Sequence, residues 1–172
     1  MTRILPLTTQ SGSDIDALLD AAFGTDRRSR TAYLIREPMH WLPELSYAVV
    51  DHRGALAGTL QSWPVALRTG DGASAPLVMV GPVAVRPDDQ KNGMGRLMMD
   101  ALVRDARKLA CPPLMMIGDP EYYGRFWGFS AQGTREWRAP GPVEARRLLA
   151  LVVDGSTLPR EGMLGPRVLS KA

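Results

Sequence analysis

The sequence predicts an α/β fold, one domain of 172 residues. Three observations carry that expectation. Val78–Ala110 reads as an apolar strand, a short polar turn, a Gly-x-Gly and a long amphipathic helix. Ser46–Val50 and Ala55–Leu67 read as two strands joined by the turn Asp51-His52-Arg53-Gly54. A hydrophobic content of 45% supplies a sizeable core.

The elements follow in order. Ser13 or Asp14 can cap a first helix through Ile15, Leu18, Leu19, Ala22 and Phe23, with Gly24 placed to end it. A second helical stretch runs from Ser29 to Arg36, before Pro38. Pro64 implies that the strand containing it lies at an edge or carries a bulge. Arg68–Pro76 reads as a polar, Gly-rich loop, and Val78–Val85 as the central strand, with a bulge expected at Gly81-Pro82 because Pro82 has no N–H for the ladder. In the helix after it, Met94, Leu97, Met98, Ala101, Leu102 and Leu109 form the apolar stripe, and Asp100 can pair with Arg96 and Arg104 on the wet side. Cys111-Pro112-Pro113 ends that helix. Leu114–Ile117 is the next strand, and Asp119 caps a short helix that has Pro120 at its first position. Trp137–Pro142 reads as an exposed strand or loop, Val143–Val153 as helix or strand, and the Gly- and Pro-containing tail from about 155 to 172 as partly loose.

Composition narrows the function classes. No run of 18 apolar residues is present, so no membrane span is expected, and the N-terminus lacks an apolar segment of signal length. The single cysteine, Cys111, allows no intrachain disulfide and fits a reducing, cytoplasmic setting. A net charge of +3 is too mild to demand nucleic acid. Two histidines and one cysteine make a Cys/His zinc site improbable, so no metal is expected. The Arg27-Arg28-Ser29-Arg30 run reads as a solvated basic loop that could instead meet phosphates, an acidic substrate or nucleic acid.

The Gly-x-Gly carries the chemistry. A helix start offers unpaired N–H groups and a partial positive charge, and glycine lets the backbone turn close to an anion. A Rossmann site would need a third glycine where Met98 stands, and a P-loop would need Gly-Lys-Ser or Gly-Lys-Thr where the chain has Gly95-Arg96-Leu97. Gln90-Lys91-Asn92-Gly93-Met94-Gly95 resembles the acyl-CoA signature of the GNAT-type (Gcn-five-related) N-acetyltransferases: Gln or Arg, two residues, Gly, one residue, Gly or Ala. Val83-Ala84-Val85-Arg86-Pro87 sits where that family has the strand leading into the signature. Gly118-Asp119-Pro120-Glu121-Tyr122-Tyr123-Gly124-Arg125-Phe126 resembles the YhbS-like bacterial branch, and the likeness covers residues 46 to 130.

The resemblance implies a mixed, mostly antiparallel sheet, splayed at the centre and flanked by helices. It implies acetyl-CoA as acetyl donor, with backbone N–H groups of Lys91, Asn92, Gly93, Met94, Gly95 and Arg96, together with Gln90, around the pyrophosphate. The main chain of Val83, Ala84 and Val85 would pair with pantetheine and polarise the thioester carbonyl. A tyrosine in the short helix would protonate the leaving thiolate. Tyr123 is the first choice and Tyr122 the alternative, because Trp127 reads as a one-residue insertion before Gly128-Phe129. The competing reading for both tyrosines is core packing.

For the general base, Glu37, Glu44, Asp51, Asp119 and Glu121 are candidates by elimination, and a water relay is open. His40, near Trp41, reads as a surface or packed histidine that could instead line a substrate mouth, His52 as a solvated turn residue, and Cys111 as inert. The expected reaction is acetyl transfer to a small-molecule or peptide primary amine by direct attack in a ternary complex, in a monomer or homodimer, with no nucleic acid or membrane partner. The alternatives are a non-catalytic acyl-CoA sensor and a basic nucleic-acid-binding module.

Overall fold

The computed structural model describes residues 2–90 and 92–168. In chain order these form β1 (Arg3–Pro6), α1 (Gly12–Phe23), α2 (Thr31–Arg36), β2 (Tyr47–Val50), β3 (Leu56–Arg68), β4 (Ser74–Val85), α3 (Met94–Leu109), β5 (Leu114–Ile117), α4 (Pro120–Trp127), β6 (Glu136–Arg138), β7 (Leu148–Leu151) and β8 (Glu161–Pro166). The strands join in one mixed sheet of order β1-β2-β3-β4-β5-β7, with β8 paired to β3 and β6. Most pairs are antiparallel; β4–β5 and β6–β8 are parallel. The β4–β5 ladder registers Val78 with Leu114 and Met79 with Met115, while β4 runs on to Val85. So short a parallel ladder is what a splayed centre requires.

The chain divides into two compact units, and β3 and β4 pass through both. The first comprises the chain up to Arg28, Trp41–Ser62 and Val80–Leu109. Here the cap of α1 lies two or three residues earlier than expected. Ser11 is the N-cap, accepting from the Asp14 N–H, and Gly24 closes the helix at φ +91. Ile15 and Leu19 pack with Leu7, Ala48 and Ala84 on one sheet face. The opposite face receives α3. Tyr47, next to Ala48 and so on the other side of β2, donates its hydroxyl to Asp105 of α3 at 2.7 Å. A Cβ on Gly58 would lie 3.1 Å from Met98 Cε and 3.3 Å from the Ala84 carbonyl, so helix and sheet meet there at glycine.

The α3 stripe differs from its expected membership. Met94, Met98, Met99, Ala101, Leu102, Val103 and Ala106 are buried, whereas Leu97 and Leu109 are exposed. The helix turns its Met99–Ala106 side inward, so Leu97 marks the edge of the stripe rather than its middle. Arg104 pairs with Asp105 at 3.2 Å. Ala110, at φ +47, takes the helix-ending conformation ahead of Cys111-Pro112-Pro113.

The basic run is corrected at its first residue. Arg27 is 1% exposed, within 3.2 Å of both Asp16 and Asp20 of α1. Residues 16, 20 and 27 meet because α1 places the two carboxylates one turn apart and Gly24 turns the chain back. Arg28 and Arg30 are exposed.

The second unit comprises Ser29–His40, Trp63–Met79 and the chain from Ala110 onward. Arg36 of α2 is buried, its guanidinium 3.9 Å from the Tyr33 ring centroid and 4.1 Å from that of Trp63. The expected loop at Arg68–Pro76 is a tight hairpin. Thr69 and Ala73 bond across it, and β4 already begins at Ser74. Pro64 falls between two ladders of β3: Tyr47 pairs with Leu60 on one side of it, and Pro166 with Val65 on the other. Gly81, at φ +118 with a cis peptide bond to Pro82, is the irregularity of β4.

Val143–Val153 resolves into a 3-10 turn, Ala145–Arg147, and the strand β7, whose Leu148, Leu149 and Ala150 are buried. Apolar burial overrides the helix preference of the preceding residues. The tail corrects the loose reading as far as Pro166. Strand β8 is held on one side by β3 and on the other by β6, and Trp137 Nε1 donates to the Pro159 carbonyl at 2.9 Å.

Candidate acyl-CoA and acyl-transfer sites

In the first unit the signature lies between β4 and α3. Leu97 N bonds Gly93 O at 3.0 Å, so the N–H groups of Met94, Gly95 and Arg96 precede the first turn's ladder. Gly93 has φ +73, and a Cβ there would meet nothing within 4 Å. A Cβ on Gly95 would lie 3.9 Å from Val83 Cγ1, an ordinary contact. Gly93 thus keeps the backbone turned, and the space beside it at the helix start is open. Gln90, Asn92 and Gly93 are exposed, Met94 is buried, and Lys91 lies outside the described residues. Of the strand residues, Ala84 is buried and Val83 and Val85 are half-buried.

A clamp that the sequence reading passed over holds this segment. Arg86 Nε donates to Asp89 Oδ2 at 2.6 Å, and its Nη2 reaches Asp51 Oδ2 at 3.2 Å. Asn92 donates from both its backbone and side chain to Asp89. Asp51 in turn accepts from the N–H groups of Arg53 and Ala55. Those bonds, Ala55 first, and the Arg86 guanidinium hold the Asp51 carboxyl below its ordinary value. Arg86 is raised by Asp89 first and Asp51 second. Asp51 is therefore a structural anchor and is removed from the base candidates. The local signal was Arg86-Pro87-Asp88-Asp89; the partner 35 residues upstream left none.

In the second unit α4 forms as expected. Asp119 accepts from the Glu121 N–H at 3.0 Å, Pro120 opens the helix, and Gly128 closes it at φ +84. Tyr123 is packed between Trp127 and Phe129, with ring centroids 5.8 and 6.4 Å away, and Tyr122 lies edge-on at 5.0 Å. A Cβ on Gly118 would come within 2.8 Å of the Tyr123 ring, so glycine there seats the ring. Burial first, then Tyr122 and Asp119, push the Tyr123 hydroxyl above its ordinary value of 10.0. It stays protonated at neutral pH and can donate. Trp127 is buried against both tyrosines, so it is the apolar anchor of α4.

The other base candidates fare as follows. Asp119 is the helix cap, held low by Glu121 and by the charges of Arg146 and Arg147. Glu121 pairs with Arg146. Glu37 and Glu44 are exposed, as are His40 and His52. Among the described residues no cluster of His, Cys, Asp or Glu could hold a metal ion, and no helix is long and apolar enough to cross a membrane.

Comparison with known proteins bears on the fold and the family. Three solved structures share the fold. One is the E. coli GNAT N-acetyltransferase YhbS in complex with CoA, at 21% identity and TM-score 0.69, over 97% of this chain and 89% of that one. Another is a Brucella melitensis GNAT acetyltransferase in complex with acetyl-CoA, at 20% identity and TM-score 0.62, over 94% and 93%. The third is the E. coli ribosomal-protein-S18-alanine N-acetyltransferase, at 17% identity and TM-score 0.58, over 91% and 97%. No curated protein matches the sequence. The family model for the acetyltransferase (GNAT) domain matches residues 3–130, which contain the signature, its clamp and Tyr123. The chain belongs to the GNAT acetyltransferase family.

Proposed function

We propose that the protein transfers an acetyl group from acetyl-CoA to a primary amine. The observation that carries this is the open helix start at Gly93–Arg96, turned by a glycine at φ +73 and braced by the Arg86–Asp89–Asp51 clamp. N–H groups of Gly93, Met94, Gly95 and Arg96 face the pyrophosphate charge there, with Gln90, Lys91 and Asn92 contributing to the loop. The fold neighbours solved with CoA and acetyl-CoA support acetyl-CoA as donor.

In the proposed chemistry the main chain of Val83–Val85 pairs with pantetheine, and an N–H from it receives the developing oxyanion. The amine attacks the thioester carbon directly, the C–S bond breaks, the thiolate takes a proton from Tyr123, and the nitrogen's surplus proton passes to solvent, which reprotonates Tyr123. Its hydroxyl is protonated at neutral pH, as a general acid must be. The burial of Arg27 in ion pairs takes from the nucleic-acid reading the first residue of the run that favoured it.

The test is calorimetric titration with acetyl-CoA, followed by thiol release over a panel of amines with mass detection of the product. Binding with acetylated product supports the proposal. Binding without turnover of any amine favours the acyl-CoA sensor, and failure to bind overturns both.

A further inference from the structure

Strand β3 carries polar side chains where a buried strand normally has none. Thr59 is 0% and Gln61 5% exposed, and Thr59 Oγ1 and Gln61 Oε1 have no hydrogen-bond partner among the described residues. An unsatisfied buried acceptor is costly, so the pair asks for a donor. Side chains two apart on a strand share a face. Thr59 registers with Ala48, which packs with Ala84 and α1. Arg86 N bonds Ala57 O, which sets Thr59 beside Ala84 and Gln61 further toward Gly81-Pro82. The two free acceptors therefore lie on one face of β3, alongside the β4 segment assigned to the thioester. The cluster on this face is completed by Ala22, Phe23, Trp41 and Leu56, all only partly buried.

We propose that Thr59 and Gln61 form an uncharged seat for the attacking nitrogen, selecting weakly basic primary amines of the α-amino kind over alkylammonium acceptors. This rests on the acetyl-transfer reading above. A neutral primary amine has two N–H donors and one lone pair. Two acceptors take the donors and leave the lone pair for the carbonyl carbon. As the C–N bond forms, the nitrogen gains positive charge and both hydrogen bonds strengthen, so the seat favours the transition state. The nitrogen's surplus proton leaves to solvent.

Among the described residues no carboxylate is turned to the seat. On the elements over this face Asp16 and Asp20 are turned to Arg27, Asp51 to Arg86, and Asp14 and Glu44 are exposed. An ammonium entering it would lose hydration with no counter-charge. The acceptor must arrive neutral. At neutral pH the ordinary difference between an α-amino and a lysine-type amine, about 2.6 units, makes the neutral fraction about four-hundred-fold larger for the former.

The probes are glycinamide and propylamine, of similar size. Thiol release with acetyl-CoA is followed from pH 6.5 to 9.5 for the wild type, Gln61→Leu and Thr59→Val. Glycinamide is expected to exceed propylamine at pH 7 by more than a hundred-fold in kcat/KM, with its profile levelling at its own amine's pKa while that of propylamine is still rising at pH 9.5. Both substitutions should lower kcat/KM for glycinamide about ten-fold or more, while the KM for acetyl-CoA changes less than two-fold. Equal use of the two amines, or unchanged kcat/KM in both variants, overturns the seat. Independently of turnover, and needing no variant to fold, the side-chain amide resonance of Gln61 in the acetyl-CoA complex should shift on adding glycinamide. No shift overturns the seat while leaving the cofactor reading standing; loss of acetyl-CoA binding in the wild type overturns the reading beneath it.

Discussion

Replacing Gly93 probes the cofactor site with a magnitude that the backbone supplies. A Cβ at this position meets nothing within 4 Å, so Gly93→Ala creates no clash. It does force an L-residue to φ +73, which costs about 1–2 kcal/mol. Domains of this size are stable by roughly 5–15 kcal/mol, so the variant folds. Its melting temperature falls by about 2–8 °C, taking about 2–4 °C per kcal/mol. Gly93→Gln and Gly93→Glu carry the same backbone strain. They differ in charge at the start of α3, where an anion stabilises the helix by about 0.3–1 kcal/mol. Gly93→Glu should therefore melt slightly above Gly93→Gln and yet bind acetyl-CoA far less, because its carboxylate occupies the place of the pyrophosphate charge. Calorimetry on the three folded variants should give a modest loss for Ala, a larger one for Gln and no measurable binding for Glu. Wild-type affinity in Gly93→Glu would refute the assignment of Gln90–Arg96 to the pyrophosphate.

Four further outcomes are expected. Arg27→Met should lower stability by about 1–3 kcal/mol in denaturant unfolding, because it removes the buried guanidinium that pairs with Asp16 and Asp20, while Arg28→Ala changes it by less than about 0.5 kcal/mol; neither should alter acetyl-CoA affinity. Asp51→Asn should reduce acid sensitivity. A carboxyl held below its ordinary 3.8 adds stability above that value and loses it as pH falls through the lower folded value, so the variant's melting temperature should vary less across that window. Tyr123→Phe should slow turnover by roughly ten- to ten-thousand-fold with acetyl-CoA affinity unchanged, as measured by single-turnover thiol release, and a matching loss in Tyr122→Phe alone would assign the role to that neighbour instead. Gly118→Ala should slow turnover as well, since its Cβ would displace the Tyr123 ring from 2.8 Å, and the tyrosine near-ultraviolet signal should change with it.

Features set within a few residues were legible in the sequence. Asp119 and Pro120 specify the start of α4, and Gly128 its end, through bonds spanning one turn. The hairpin at Asp51–Gly54 and the helix start at Gly93 are equally local. Features set by distant partners were not. The Arg27 run looked solvated because nothing nearby in its composition announces that α1 offers Asp16 and Asp20 on one face. The clamp on the signature joins Arg86 to Asp51 across 35 residues. The α3 stripe was misplaced because Leu97 and Met99 are equally apolar, and only the packing of the sheet chooses between them. Strand β8 was hidden because its residues, Glu161-Gly162-Met163-Leu164-Gly165-Pro166, pair on both edges without a β-branched residue among them. Thr59 and Gln61, with Ser62, did leave a signal: polar residues inside a largely apolar strand.

The proposed acid and the proposed seat make one joint statement about pH. Burial raises the Tyr123 hydroxyl above 10.0, so its proton is in place throughout the working range. Among the described residues no carboxylate is turned to the seat to draw a proton from the nitrogen, so the amine's own ionisation limits the rate at low pH. For glycinamide the profile of kcat/KM should then climb with slope one to the amine's pKa and run flat beyond it to pH 9.5, because the Tyr123 proton is still in place there. A protein carboxylate acting as base would instead set an inflection shared by glycinamide and propylamine. An inflection that moves with the amine supports proton loss before binding; one that stays fixed identifies a protein group and removes the uncharged seat from the mechanism.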